Sequence, residues 1–332
     1  MTSTASFTSS GDAVMRRRLL LSTVFRTVCR IAVYSAIFVL VTLLGVVLWL
    51  AIGRLTPAFF SRGHSAFPDR AGIQAGIWGT FWLISLTTIF SLPVGIGAAV
   101  YLEEYASDTW LTRLIKVNLS NLAGVPSIVY GMLGLTVFVR MFGLFGHGIK
   151  LNLLNGFLVV PLPFGKSVIA GALTMSLLIL PVVIIATQEA LRAVPRSIRI
   201  ASFALGATRW QTIRNQVLPA ALPGIATGAI LAISRAIGET APLIMVGAIT
   251  YTRICPGGVE SVGTLLTDPQ RVLSAPFDMY TAMPIAIYGW IRVGPEFTSV
   301  AAAGIVVLLF VLTCFNGFAV YIRQRARNKL KW

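Results

Sequence analysis

The stretch that decides the fold is residues 167–188, SVIAGALTMSLLILPVVIIATQ, which contains no charged side chain over 22 positions. A helix of about 20 mostly apolar residues is long enough to cross roughly 30 Å of hydrocarbon. The rest of the chain agrees, because 56% of its 332 residues are apolar and 11% are charged, with a mean hydropathy of +0.82. The composition predicts a membrane protein and excludes both a disordered tail and an ordinary soluble domain.

Five further apolar segments lie on either side of this stretch, and each is long enough to span a bilayer. They are residues 31–52, 73–102, 117–139, 219–252 and 298–322. We therefore predict an all-α polytopic membrane protein in which six transmembrane helices form one domain, residues 31–322. The serine- and threonine-rich residues 1–14 are expected to be disordered.

Lysine and arginine are unevenly divided between the two sides of this six-span arrangement. The side that holds both termini and the loops 103–116 and 189–217 carries 17 of the 27 basic residues, whereas the opposite loops carry 9. Cytoplasmic loops are enriched in such residues. The pattern predicts that the basic segment 1–30 and the basic tail 323–332 are both cytoplasmic, with the tail against anionic membrane lipid. Topology therefore accounts for the net charge of +16, and no nucleic acid is expected as a partner.

Motifs that would indicate an enzyme or a cofactor fail in their context. The sequence FGKS at 164–167 ends like a phosphate-binding loop, but Val160 stands where the first glycine would be. His64 and His147 have no neighbours at metal-ligand spacing, and the three cysteines are too widely separated to form a paired motif. We expect this chain to bind no metal, nucleotide or other cofactor and to have no enzymatic activity of its own.

Two charged residues, Arg235 and Glu239, interrupt the fifth apolar segment. On a continuous helix over residues 223–252 they would share a face, one turn apart, near the bilayer centre. A charge at that depth is costly, so such residues usually face a cavity or a bundle interior and mark a substrate path. Arg235 could donate several hydrogen bonds to an oxyanion while Glu239 accepts one from a protonated oxygen. The alternative is a structural ion pair that joins helices.

Residues 189–217 contain five arginines and no lysine and are too polar to lie in hydrocarbon. Their pattern predicts two short helices around Gly206 at a membrane surface. A pump without a nucleotide site needs such a rigid loop to receive work from a separate ATPase. Ala201 would allow close contact, Gly206 the turn, and Pro219 after Leu218 the return into the membrane. Taken singly, the arginines could instead contact lipid headgroups.

The sequence ASFALGATRW at 201–210, followed by VLP at 217–219, resembles the EAA loop of ABC-transporter permeases, the segment that couples to the ATPase. The resemblance assigns this coupling role to Ala201, Ser202, Gly206, Ala207, Leu218 and Pro219. This chain departs from the family pattern at three positions. Ile200 occupies the glutamate position, Ser202 the second alanine, and Gln216 the isoleucine before Leu-Pro, so the contact of that glutamate must be replaced or absent.

Other segments are similar to those of the phosphate-specific permeases, the PstA type more than its paired PstC type. They are LPVG at 92–95, YLEEYA at 101–106, AGVPSIVYG at 123–131, SRAIGETAP at 234–242 and MPIAIY at 283–288. The resemblance implies the type I (MetI-like) ABC importer permease fold, the bacterial inner membrane, and a substrate pathway containing Arg235, Glu239 and Thr240. It also implies three partners, namely a second permease subunit, a periplasmic phosphate-binding protein and a cytoplasmic ATPase dimer that uses the ATP.

Two other functions stay open on the sequence alone. A permease of the same fold could carry another oxyanion such as sulfate, which lacks the proton that Glu239 would accept. A membrane-embedded enzyme or scaffold is the second alternative, but it leaves the loop 189–217 and the charges at 235 and 239 unexplained.

Overall fold

The computed structural model describes residues 6–144, 149–153, 158–250, 252, 255–259 and 262–329. The α-helices in these ranges are α1 (Ser6–Ala51), α2 (Pro57–Ser61), α3 (Gln74–Val100), α4 (Trp110–Ala123), α5 (Ser127–Gly134), α6 (Val168–Arg192), α7 (Arg196–Ala204), α8 (Arg209–Thr212), α9 (Leu218–Gly238), α10 (Ala241–Val246), α11 (Val262–Thr267), α12 (Pro269–Ser274), α13 (Met283–Val293) and α14 (Thr298–Lys329). The predicted helical fold class is confirmed. One antiparallel hairpin, β1 (Ile149–Leu153) with β2 (Leu158–Leu162), is added to it, and His147 lies outside the described residues.

Helix α1 begins at Ser6 and continues without a break to Ala51. The expectation of disorder over residues 1–14 is therefore wrong from residue 6 onward. Extending a helix that already exists costs much less than nucleating a new one, so the polar segment continues the apolar helix behind it. The basic segment 1–30 thus leads directly into the first span.

Five helical stretches within the described ranges are long and apolar enough to cross a membrane. They are Met15–Arg54, Gln74–Tyr105, Val168–Arg192, Arg209–Gly238 and Pro295–Arg325. A sixth crossing is present when the bent pair Trp110–Ala123 and Ser127–Val139 is counted as one span. The predicted number of six is reached only in this way.

The third span predicted over residues 117–139 is sharply bent, because α4 and the helix after it meet at an angle of 103°. Gly124 ends α4, and Pro126 stands immediately before α5 in an extended conformation. Proline lacks the N–H that a continuing helix needs, and it also disfavours a helical conformation at Val125. The chain therefore turns sharply between the two helices.

The packing centres on α6, which lies between α3 and α9. Helices α3 and α6 run parallel and are joined where the Ser176 hydroxyl donates to the carbonyl of Thr87 at 3.3 Å. Helix α9 runs antiparallel to α6, and two of its glycines pack on alanines: Gly224 on Ala190 and Gly228 on Ala186. Without a hydrophobic force between helices in lipid, such small residues bring backbones close enough for good packing. A side chain at Gly228 would place its Cβ 2.3 Å from that of Ala186.

Candidate functional site

The two charged residues of the fifth apolar segment lie at a break in the helix. Helix α9 ends at Gly238, Glu239 has the extended backbone angles φ −79° and ψ 130°, and α10 begins two residues later. The continuous helix assumed over residues 223–252 is therefore wrong. Contact between the two side chains persists across the break, with Arg235 Nε 3.5 Å from Glu239 Oε1.

The depth of this pair follows from the register of α9 against α6. Gly228 lies against Ala186, and in antiparallel helices each step forward along one matches a step back along the other. Seven residues on from Gly228, Arg235 is therefore level with Ile179. Ile179 is the twelfth of the 25 residues of α6, so the Arg235 side chain starts level with the middle of a membrane-length helix.

The Arg235 guanidinium retains unused hydrogen-bond donors. Its side chain is 46% exposed, that of Glu239 is 21% exposed, and the long contact of Nε is the polar contact that Arg235 makes within the described residues. Thr240 precedes α10, half-buried, and its side chain makes no capping hydrogen bond there. The arrangement leaves a partly exposed cation at a helix break, with the half-buried Thr240 next to Glu239 in the chain.

Reasoning from the sequence missed two residues near this break, Asn316 and Tyr130. Ser234 contacts the side chain of Asn316 in α14 while also donating to the carbonyl of Ile230 at 2.7 Å. Tyr130 of α5 donates to the carbonyl of Leu122 at 2.8 Å and lies within electrostatic range of Arg235. The signal that could have found Asn316 is its amide, an unusual group within an apolar span.

The predicted pair of short helices around Gly206 is present as α7 and α8. Gly206 has φ +80°, a left-handed conformation that glycine adopts without strain, and it turns the chain between them. Helix α8 begins with a capping box in which Thr208 and Gln211 bond each other's backbone. The hydroxyls of Ser202 and Thr212 lie 2.9 Å apart and tie the two helices together.

The other residues predicted to couple to an ATPase lie along the same loop, residues 189–217, which we call the coupling loop, or directly after it. Ala201 is exposed in α7, Ala207 is half-buried beside Gly206, and Leu218 and Pro219 form the first turn of α9. Large apolar side chains also point outward from this loop. Ile200 is 66% exposed, Leu205 89%, Trp210 55% and Phe203 47%, an apolar surface of the kind that marks a protein contact.

Three of the five arginines of the coupling loop contact the end of the second span, which the sequence did not indicate. Arg192 bonds Glu103, Arg199 bonds Glu104, and Arg209 lies over the ring of Tyr105. These three arginines therefore have partners within the protein, in contrast to the alternative in which each contacts a lipid headgroup. The partners are 89 to 104 positions apart in the sequence, so a local sequence pattern does not indicate these contacts.

Comparisons with known proteins agree on the class of this chain. A family model described as "Binding-protein-dependent transport system inner membrane component" matches residues 91–328. The phosphate transport system permease protein PstC of Mesorhizobium japonicum is 31% identical over 304 residues, 84% of this chain and 88% of that protein. The phosphate transport system permease protein PstA 1 of Mycobacterium tuberculosis (strain H37Rv) is 35% identical over 209 residues, 60% of this chain and 61% of that protein.

The fold is also found among solved structures. The crystal structure of a bacterial alginate ABC transporter, in complex with its pentasaccharide-bound periplasmic protein, contains a chain that matches with a TM-score of 0.58. The match covers 95% of this chain and 96% of that one at 17% identity, so it establishes the fold alone. Together with the family model, these relatives show that the chain belongs to the inner membrane components of binding-protein-dependent transport systems, the permeases of ABC importers.

Proposed function

We propose that this chain is a permease subunit of an ATP-driven, binding-protein-dependent importer of inorganic phosphate. The observation that carries the proposal is the pair Arg235 and Glu239 at a helix break, level with the middle of α6 and partly open. Unwound backbone at membrane depth is tolerated where it lines a cavity or is covered by protein. Relatives whose names specify phosphate transport support the choice of anion.

The chemistry of the pair suits phosphate. The Arg235 guanidinium offers a permanent positive charge and donors in a planar fork, which match the oxygens of a phosphate. Glu239 accepts a hydrogen bond from the P–OH group that phosphate carries at neutral pH and sulfate lacks. Thr240, the residue after Glu239, offers a further hydroxyl. In this mechanism Arg235 replaces part of the hydration of the anion, and Glu239 distinguishes a protonated oxyanion from an unprotonated one.

The remaining parts of the importer are proposed as partners. A second permease subunit of the PstC type completes the pathway on the open side of Arg235, and a periplasmic binding protein of the PstS type delivers phosphate. A cytoplasmic ATPase dimer of the PstB type hydrolyses the ATP and contacts Ala201, Ser202, Gly206 and Ala207 of the coupling loop. In this proposal both termini of the chain lie in the cytoplasm of a bacterial cell.

Uptake of radiolabelled phosphate into proteoliposomes tests the proposal. The vesicles contain this chain with its candidate partner permease and ATPase, together with the binding protein, and are assayed with and without ATP and with excess sulfate. ATP-dependent uptake that sulfate does not reduce is the expected result. Competition by sulfate would move the assignment to another oxyanion, and no uptake by an assembled complex with ATPase activity would contradict an importer.

A further inference from the structure

Three consecutive residues at the end of the second span each contact a different part of the chain. Glu103, Glu104 and Tyr105, here called the acidic turn, follow α3 within the wide helical turn Tyr101–Tyr105. In this turn Ala106 N–H bonds the carbonyl of Tyr101 at 2.8 Å, an i to i+5 bond of the π-helical kind. Such turns are rare and occur often at functional sites.

Glu103 joins three helices at one carboxylate. Arg192, the last residue of α6, donates from Nε to Oε1 at 2.8 Å and from Nη2 to Oε2 at 3.0 Å. This two-bond geometry is the strong and directional form of an arginine–carboxylate contact. Lys116 of α4 lies 3.5 Å from the same carboxylate. Glu103 therefore fixes the end of α3, the end of α6 and the middle of α4 relative to one another.

Glu104 joins α3 to the first helix of the coupling loop. Its Oε1 accepts a hydrogen bond of 2.6 Å from Arg199 Nη2, and the two side chains are 10% and 18% exposed. Arg199 also donates to the carbonyls of Val194 at 2.8 Å and Leu191 at 2.9 Å. The guanidinium is thus held from three directions, which fixes its orientation far better than a single exposed ion pair would.

Tyr105 extends the same attachment to the second helix of the loop, because the Arg209 guanidinium lies 5.2 Å from the centre of its ring. Helices α7 and α8 are themselves bonded through Ser202 and Thr212. With the contact of Arg192 to Glu103, the coupling loop is therefore attached to the end of α3 at three points, as well as being continuous with α6 and α9. A displacement of the loop would move α3 together with these two helices.

We propose that the acidic turn makes α3 follow the coupling loop, and that Glu104 and Arg199 are its central positioning residues. The inference rests on the proposed function, in which work enters through the loop. Force applied at α7 passes through Arg199 and Glu104 into α3, which is packed in parallel along α6 towards the opposite end of the span. Without this attachment, movement of the loop would reach α3 only indirectly, through its packing against α6.

The test uses the reconstituted complex and measures phosphate uptake and ATP hydrolysis in the same vesicles. Glu104→Gln keeps the shape of the side chain but removes its charge, and Tyr105→Leu removes the ring at a partly exposed position where misfolding is not expected. In both variants we expect phosphate transported per ATP hydrolysed to fall, by about fivefold for Glu104→Gln and less for Tyr105→Leu. A purely structural role would lower the amount of complex and both rates together, leaving the ratio unchanged.

The matched control is Asp108→Asn, which breaks the neighbouring exposed pair of Asp108 and Arg113, 3.6 Å apart and 85% and 73% exposed. In this control the phosphate transported per ATP hydrolysed should equal that of the unmodified chain. An unchanged ratio in both Glu104→Gln and Tyr105→Leu would overturn the inference.

If the unmodified complex takes up no phosphate, the proposed function fails, and stimulation of ATP hydrolysis by the binding protein still tests the attachment. Loss of that stimulation in Glu104→Gln supports it, and full stimulation contradicts it.

Discussion

The chain contains two arginine–glutamate pairs built in opposite ways. Arg199 and Glu104, at the coupling loop, are 2.6 Å apart and mostly buried, and the guanidinium also bonds two backbone carbonyls. Arg235 and Glu239, at the helix break, are 3.5 Å apart, and nearly half of the arginine side chain is exposed. The same two residue types therefore make a tight contact in one place and a loose one in the other.

The two pairs differ in how many hydrogen-bond donors of the arginine remain free for a ligand. A guanidinium whose donors are occupied by a carboxylate and carbonyls holds its own surroundings in place and has little to offer an incoming anion. A guanidinium with a single long contact keeps hydrogen-bond donors for a substrate. When no substrate is bound, those donors are free to contact solvent or a partner subunit. The contrast predicts that substitutions at the first pair act on stability and coupling, and those at the second on uptake.

The largest effect is expected for Arg235→Lys. Lysine keeps the charge but loses the planar fork, so that one or more charged hydrogen bonds to the anion disappear, worth about 1.5–3 kcal/mol. We expect uptake to fall by roughly tenfold to a hundredfold, with the amount of assembled complex unchanged. Parallel measurement of uptake and of purified complex checks this, and uptake within a factor of about two of normal would refute a direct role in binding the anion.

Glu104→Gln and Glu239→Gln compare the two pairs directly. At Glu104 the change removes the charge that faces a mostly buried guanidinium, and the free energy of unfolding should fall by about 1–3 kcal/mol. At Glu239 the pair is long and open, so the expected loss is below about 1 kcal/mol. Thermal unfolding of the two purified variants in the same detergent distinguishes them. Equal destabilisation, or a larger loss for Glu239→Gln, would mean that the helix-break pair is structural.

The smallest effect is expected for Asn316→Leu, which removes the side chain that Ser234 contacts next to Arg235. Polar contacts between membrane helices contribute about 0.6 kcal/mol on average, so uptake should fall by about twofold to threefold. Leu312→Ile, a substitution in the same helix that removes no polar group, is the control for altered packing. If Asn316→Leu and this control have equal uptake, the contact with Ser234 has no part in placing Arg235.

Much of the fold could be predicted because its signals are local. Apolar length located the spans, and Gly206 between two polar, arginine-rich stretches indicated two short helices. The helix breaks between α4 and α5 and between α9 and α10 were harder to predict, although the residues at which they occur can be read in the sequence. Pro126 after Gly124 is a strong stop signal within a charge-free run, but the sequence does not give the angle of 103° at which the two helices meet. The break after Gly238 has no proline until Pro242, so hydropathy alone extended the helix to residue 252.

The site divides in the same way. Arg235 and Glu239 stood out because charge is rare in an apolar segment, and their contact survives although the helix that was expected to create it does not. The attachment of Arg192 and Arg199 to Glu103 and Glu104 was not predictable. It depends on the parallel register of α3 and α6, which is fixed by tertiary packing between residues far apart in the sequence.

The pairing of α1 with α14 has a consequence for how the protein is made. Among the described helices, α14 is the one against which α1 packs most extensively, and its first residue follows the last residue of α1 by about 250 positions. At about 5–20 residues per second, the ribosome needs roughly 12–50 s to synthesise that interval. During this time α1 waits among lipids, or with the insertion machinery, for a neighbour that is synthesised long after it.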